Sequence, residues 1–555
     1  MDPTNSRRTF MEGAAALGCG ALLGPGHLLH GQTVVAGASG QFDLVIAGGM
    51  VIDGSGQAPF AADVGIVGTK IAAIGKLNDV TAKIRIDAQG LAVAPGFIDI
   101  HAHTNLRRNP KSQSKIFQGV TLDITGPDGG SSFPRRLNRG DAQQTPQSIS
   151  GFSNYSRWLD SHKSTPIAMN LGSFVGFGTV RETVMGYSAQ KPTTNELELM
   201  KDLVRQAMEQ GAVGLSSGLE YMPGGYATTE EIIEVARAAA EYGGVYSTHM
   251  RSEDSGVLDA LEEAIRISRE SGLGLVVTHF KMAGPPNWSM LRAGIKMIEQ
   301  ARNEGVTVHC DRYPYTAWST GFGVFYPKWA KEDGKLRANL KDPQLREKMK
   351  AETEDMVELN GGWDALMIGG GMPEADQGLI GKRIGEIAKE RGVEPYEFVS
   401  DQQIKRGVSI IGFGMSQENT DRIIGLPYCA IASDGGAVAA SKGAGEHPRS
   451  FGSFPRAIRY YVRERKMMSL EEMIRKMTSL PADIMGFKDR GRLKEQMVAD
   501  VVVFDAENIT DKATYAEPGQ YSQGVVHLVV NGKQVIKNSK QTNAMPGGIV
   551  SRQSV

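Results

Sequence analysis

Cysteine is nearly absent, with three in 555 residues: Cys19, Cys310 and Cys429. That rules out a disulfide framework and a paired-cysteine metal knuckle. Neither sign of charge prevails, since 61 Lys and Arg stand against 62 Asp and Glu. The balance carries no signature of a nucleic-acid partner, an anionic membrane surface or an acidic disordered chain. Uninterrupted apolar runs are also lacking. The longest apolar stretch, Ala14 to Leu29, is broken by Gly18, Gly20, Gly24, Pro25 and Gly26, and a spanning helix needs about 20 mostly apolar residues. What is present is ordinary for a large globular chain: 41% apolar and 22% charged residues, with 68 glycines for turns and close backbone approaches.

Arg7 and Arg8 stand directly before that small, apolar stretch, which is the layout of a twin-arginine export signal. Ala36-Gly37-Ala38 supplies a small-residue cleavage site. Residues 1–38 are therefore expected to be a removable leader, and the mature chain to be periplasmic or secreted. Such a route carries folded proteins, which suits an enzyme loaded with metal before export. Ala16-Leu17-Gly18 ahead of Cys19 is a poor lipidation motif.

From residue 41 the chain reads as short β pieces separated by glycines, and a matching set recurs near the C-terminus. Residues 41–94 and 490–545 are expected to form one small β-sandwich built from both chain ends. Between them, strand-like apolar runs alternate with amphipathic helical runs. Eight strand candidates are Phe97–His103, Val120–Thr125, Ile167–Ser173, Val213–Ser217, Val245–His249, Leu273–His279, Val306–Asp311 and Cys429–Asp434. The expected fold class is α/β: a (β/α)8 TIM-like barrel over residues 95–489. A helical insertion is expected at about 322–425, between the seventh and eighth strands.

Five of those strands end in, or are followed by, metal-competent residues. His101-Ala102-His103 closes the first, and alternate residues share one strand face. Thr125-Gly126-Pro127-Asp128 follows the second; His249 ends the fifth, His279 the sixth and Asp434 the eighth. Barrel enzymes place their chemistry at those C-terminal strand ends. Imidazoles and carboxylates without a thiolate suit Zn2+ or a similar divalent ion, and two ions if one carboxylate bridges. Such a site hydrolyses amides, with Asp434 as the natural general base and proton donor to the leaving nitrogen.

Pro95-Gly96-Phe97-Ile98-Asp99-Ile100-His101-Ala102-His103 resembles the opening of the amidohydrolase superfamily. Gly218-Leu219-Glu220-Tyr221-Met222-Pro223-Gly224, Thr248-His249-Met250-Arg251-Ser252-Glu253, Thr278-His279-Phe280-Lys281, Asp311-Arg312-Tyr313-Pro314-Tyr315 and His447-Pro448-Arg449 resemble its N-acyl-D-amino-acid deacylase branch. The resemblance implies a tight zinc on His249 and His279, and a second, weaker site on His101, His103 and Asp434. It also implies that Lys281, Tyr221, Tyr315 and Arg449 grip the substrate carboxylate and amide. Each of those four equally fits a salt-bridge or packing role.

Two departures stand out. Asp128 occupies the place where many members carry a cysteine, so its bridging role is an inference. Val175-Gly176-Phe177-Gly178 replaces a usual Gly-His-Gly, which puts the usual substrate preference in question. The expected activity is hydrolysis of a small linear amide. A cyclic amidase of the hydantoinase or dihydroorotase kind is the alternative, but the fourth strand lacks the lysine those enzymes carboxylate. A non-catalytic metal-binding barrel is the reading from another class. Oligomeric state is not legible.

Overall fold

The computed structural model describes residues 41–136, 148–163, 165–440 and 445–552. The expected leader, residues 1–38, lies outside the described residues. No helix among the described residues is long and apolar enough to cross a membrane.

Eight parallel strands carry the middle of the chain: β1 (Phe97–Asp99), β2 (Val120–Thr125), β3 (Asn170–Ser173), β4 (Gly214–Gly218), β5 (Val245–His249), β6 (Gly274–Val277), β7 (Val308–Arg312) and β8 (Cys429–Ile431). All eight fall within or beside the expected runs. They pair in chain order as β1-β2-β3 and as β4-β5-β6-β7-β8. After Phe174 the chain continues as Val175–Gly176, which pairs with β4. Beyond the ends of β1 and β8, the Asp434 amide donates to the His101 carbonyl and the His103 amide to the Gly435 carbonyl.

Nearly every residue of these strands is buried, as in a parallel sheet covered on two faces. Leu275, Val277 and Cys310 pack with Leu261 and Ile298 of the flanking helices. The alternate residue Val276 joins Ile98, Leu122, Val213, Val245 and Ala430, closed off by Leu480 and Met485. Cys310 and Cys429 are thus buried packing thiols.

The helices between strands form where amphipathic periodicity and caps coincide. In the helix Thr194–Glu209, Thr193 and Glu196 form a reciprocal capping box. Val257–Ser271 ends at Gly272, which takes the left-handed conformation that favours glycine.

The chain ends come together in one hydrogen-bonded sheet of nine strands, in which Ala92–Pro95 pairs antiparallel with Val501–Phe504. That sheet forks: the first half of Phe42–Val51 pairs with Ala82–Asp87 and its last residues with Ala92–Pro95, across a register shift near Gly48 and Gly49.

The segment between β7 and β8, expected to be helical, also holds a three-stranded antiparallel sheet of Trp318–Gly321, Leu366–Gly370 and Ser409–Gly412. That sheet packs with the helices Pro343–Leu359 and Pro395–Lys405 around a core of its own, including Phe322, Tyr326, Ile368, Tyr396 and Ile410. Short strands bounded by glycine left little periodic signal among the stronger helical patterns.

Candidate metal centre

The strand ends bring the six expected metal ligands into two groups that share a member. His101, His103, Asp128 and Asp434 form one, and Asp128, His249 and His279 the other. Asp128 turns Oδ2 to His101 Nε2 at 3.2 Å and to His103 Nε2 at 3.4 Å. Its Oδ1 lies 3.6 Å from His279 Nε2 and accepts from Thr278 Oγ1. Among the second group, His249 Nδ1 lies 3.0 Å from His279 Nε2.

The backbone is bent to achieve this. Asp128, His279 and Asp434 have φ of 53°, 35° and 50°, a left-handed region that non-glycine residues seldom occupy. Gly129 follows Asp128 with φ 75°, and a Cβ there would stand 2.7 Å from the Gly218 amide. Gly435 follows Asp434, where a Cβ would stand 2.7 Å from Ser450 Oγ.

Three histidines have their far ring nitrogen engaged by a charged neighbour. His101 Nδ1 faces Asp311 at 3.4 Å and His249 Nε2 faces Glu220 at 3.1 Å, while His279 Nδ1 lies 2.8 Å from Lys281 Nζ and 2.9 Å from Glu253. Such partners fix the ring and leave the opposite nitrogen as a ligand. The nitrogens so freed, His101 Nε2, His249 Nδ1 and His279 Nε2, all turn toward Asp128. This arrangement fits a divalent cation, and the donor set of imidazole and carboxylate fits zinc.

The same carboxylates set the charge. Burial would lower the His249 imidazole, yet Glu253, Glu220 and Asp128 push it up to about 9. Burial likewise opposes protonation of His101, but Asp128, Asp311 and Asp434 raise it well above its ordinary value. For Asp434, burial would raise the carboxyl, and Arg449 with His101 and His103 outweighs this, holding it well below the usual carboxylate range.

A cavity of about 770 Å3 opens over these groups, lined by His103, Asp128, His249, His279 and Asp434. Trp318, Phe325, Tyr326 and Met356, from the segment between β7 and β8, supply one wall. The amidohydrolase family pattern matches residues 85–321 and 374–536. This chain belongs to the amidohydrolase family.

Among relatives of this amidohydrolase, a D-aminoacylase of Alcaligenes xylosoxydans xylosoxydans is 36% identical over 516 residues, 92% of this chain and 98% of its own. The crystal structure of N-acyl-D-glutamate deacylase from Bordetella bronchiseptica, complexed with zinc and a phosphonate mimic of the tetrahedral intermediate, matches with TM-score 0.78 and 31% identity, over 92% of this chain and 100% of that one. A D-aminoacylase structure concerned with its binuclear metal centre matches with TM-score 0.76 and 32% identity, again over 92% and 100%.

Of the four expected substrate residues, the amidohydrolase places Lys281, Tyr221 and Arg449 on the cavity wall. All three are already engaged: Lys281 Nζ donates to Glu253 at 2.5 Å, Arg449 Nη1 to Asp434 Oδ2 at 2.6 Å, and the Tyr221 hydroxyl pairs with Thr320 Oγ1 at 3.2 Å. Tyr315 is the exception. It is buried, its hydroxyl points to the Pro448 carbonyl and its ring packs on His447. Tyr313, two residues earlier, lines the cavity instead, with the Arg449 guanidinium over its ring at 4.8 Å. The strand β7 ends at Arg312, so both tyrosines lie on the loop beyond it, and the motif resemblance alone did not say which turns inward.

Glu220, Glu253 and Asp311 were absent from the expected site. Glu220 and Glu253 lay within quoted motifs, next to Tyr221 and four residues after His249, where their carboxylates were the available signal. Phe177, where the usual imidazole is missing, is fully buried in the core.

Proposed function

We propose that this chain hydrolyses the linear amide bond of N-acyl-D-amino acids. The convergence of His101, His249 and His279 on Asp128, each ring braced by its own carboxylate, carries this reading. The names of the relatives supply the substrate class. Zinc held there supplies Lewis acidity toward an amide carbonyl and toward water at neutral pH. We assign the tighter ion to His249, His279 and Asp128, and a weaker one to His101, His103, Asp128 and Asp434.

The chain's own residues do the rest. Asp434 takes the proton of the attacking water and returns it to the leaving nitrogen. Held ionised by Arg449, it is ready across the neutral range. Arg449 and Lys281 receive the substrate carboxylate, and a carboxylate that reaches Arg449 competes with Asp434 for the same guanidinium. Tyr221 and Tyr313 orient the amide, while Trp318 and Phe325 shut out water.

The reading includes a closed (β/α)8 barrel over residues 95–489, a β module from 41–94 and 490–545, and export of the folded chain by a twin-arginine leader to the periplasm or medium. Stripping the protein with a chelator and restoring zinc tests the chemistry. Hydrolysis of N-acetyl-D-amino acids should vanish and return; activity that survives complete stripping contradicts the reading.

A further inference from the structure

We infer that Lys115 is a positioning residue for the His101, His103 and Asp434 side of the centre. The inference rests on the metal-site reading above. Lys115 touches neither cavity nor ligand, yet it is fully buried, in company with Asp99, Asp123 and Ser433. Its ammonium donates to Asp99 Oδ2 at 2.5 Å and to Ser433 Oγ at 2.6 Å, with Asp123 Oδ1 at 3.6 Å.

Each of those partners holds backbone that carries the site. Asp99 Oδ1 accepts from the His101 amide at 3.2 Å and from the Ser433 amide at 3.1 Å. Ser433 Oγ accepts from the Gly435 amide at 3.0 Å, so Asp434 is gripped on both flanks. Asp123 Oδ2 accepts from Thr104 Oγ1, and Thr104 Oγ1 accepts from the Ala437 amide. One ammonium thereby ties the turn after β1 to the turn after β8, where Asp434 stands at φ 50°.

A buried cation is costly unless its charge and its protons are all met. A well-packed apolar side chain would serve a plain core position better. Charge is needed here because Asp99 must stay fixed while it accepts the His101 and Ser433 amides, and Asp123 while it accepts the Thr104 hydroxyl. The partners of Lys115 lie on β1, β2 and the turn after β8. Among the described residues, none of its hydrogen bonds or ion pairs reaches β5 or the turn after β6, which carry His249 and His279.

Loss of such outer support costs about 10–100-fold in metal affinity or activity. The test uses the full chain, stripped of metal and titrated with Co2+ while visible absorption is followed. Reference variants are His103→Ala for one side of the centre and His249→Ala for the other. Lys115→Met removes the clamp. Ser433→Ala removes one link while leaving the Lys115–Asp99 pair intact, and it decides the matter alone if Lys115→Met does not fold.

Both should alter the titration as His103→Ala does, weakening that component about tenfold or more, and leave the component lost in His249→Ala unchanged. Their kcat should fall while KM stays within about twofold. A wild-type titration in a folded variant overturns the inference, as does equal weakening of both components, which would mark a general structural role.

Discussion

His249 Nδ1 faces His279 Nε2 across 3.0 Å, ring nitrogen toward ring nitrogen, with Glu220 and Glu253 behind them. Two lone pairs cannot face one another unless a proton or a cation lies between them. His249→Ala and His279→Ala should therefore each lose the tightly held metal and all turnover. Metal content by mass spectrometry after gel filtration checks this, and near-full occupancy in either variant would remove that histidine from the ligand set.

Asp128 offers one oxygen to each histidine pair. Asp128→Ala should lose metal from both sides. Asp128→Cys should retain the metal and part of the activity, because a thiolate also bridges. Wild-type metal content in the alanine variant would show that the two groups do not share a ligand.

Asp434→Asn preserves shape and removes the proton acceptor. The fold and the tight metal should persist while kcat falls about 10²–10⁴-fold. Substrate binding should be less affected than turnover. A kcat within threefold of wild type, with chemistry shown to be rate-limiting, would exclude Asp434 as the base.

Much of this site was legible in the chain before its fold. His101, His103, His249, His279 and Asp434 each close an apolar run, and a strand that ends in a ligand announces a barrel-mouth site. The Tyr315 assignment rested on the motif resemblance, and after Arg312, where the strand ends, the structure turns Tyr313 rather than Tyr315 to the cavity. Lys115 was not singled out, and Asp99 and Asp311 lay in quoted motifs without a role, for another reason. Their meaning lies in pairing across 16 to 318 positions, which no local pattern records. The strand Trp318–Gly321 was hidden by its shortness and by its partner Ser409–Gly412, which lies about 90 residues downstream.

A histidine outside the site sets an acid limit on stability. Burial, with Arg302 nearby, lowers the His309 imidazole to about 4. The unfolded chain binds a proton there near pH 6.5, and the folded chain resists it. The stability from the neutral ring is therefore complete above about pH 6.5 and is lost as pH falls toward 4. His309→Gln should flatten the fall in Tm between those limits in the metal-stripped protein. An unchanged slope would show that other groups govern acid unfolding.

The proposed reaction is cleavage of N-acyl-D-amino acids at the histidine and carboxylate centre. The most direct measurement is kcat/KM of the zinc-loaded protein on matched D and L pairs of N-acetyl amino acids, with simple aryl amides alongside. The account predicts measurable hydrolysis of D substrates at least about tenfold above their L partners. No hydrolysis of either enantiomer by the zinc-replete protein, or a preference for L, would contradict it.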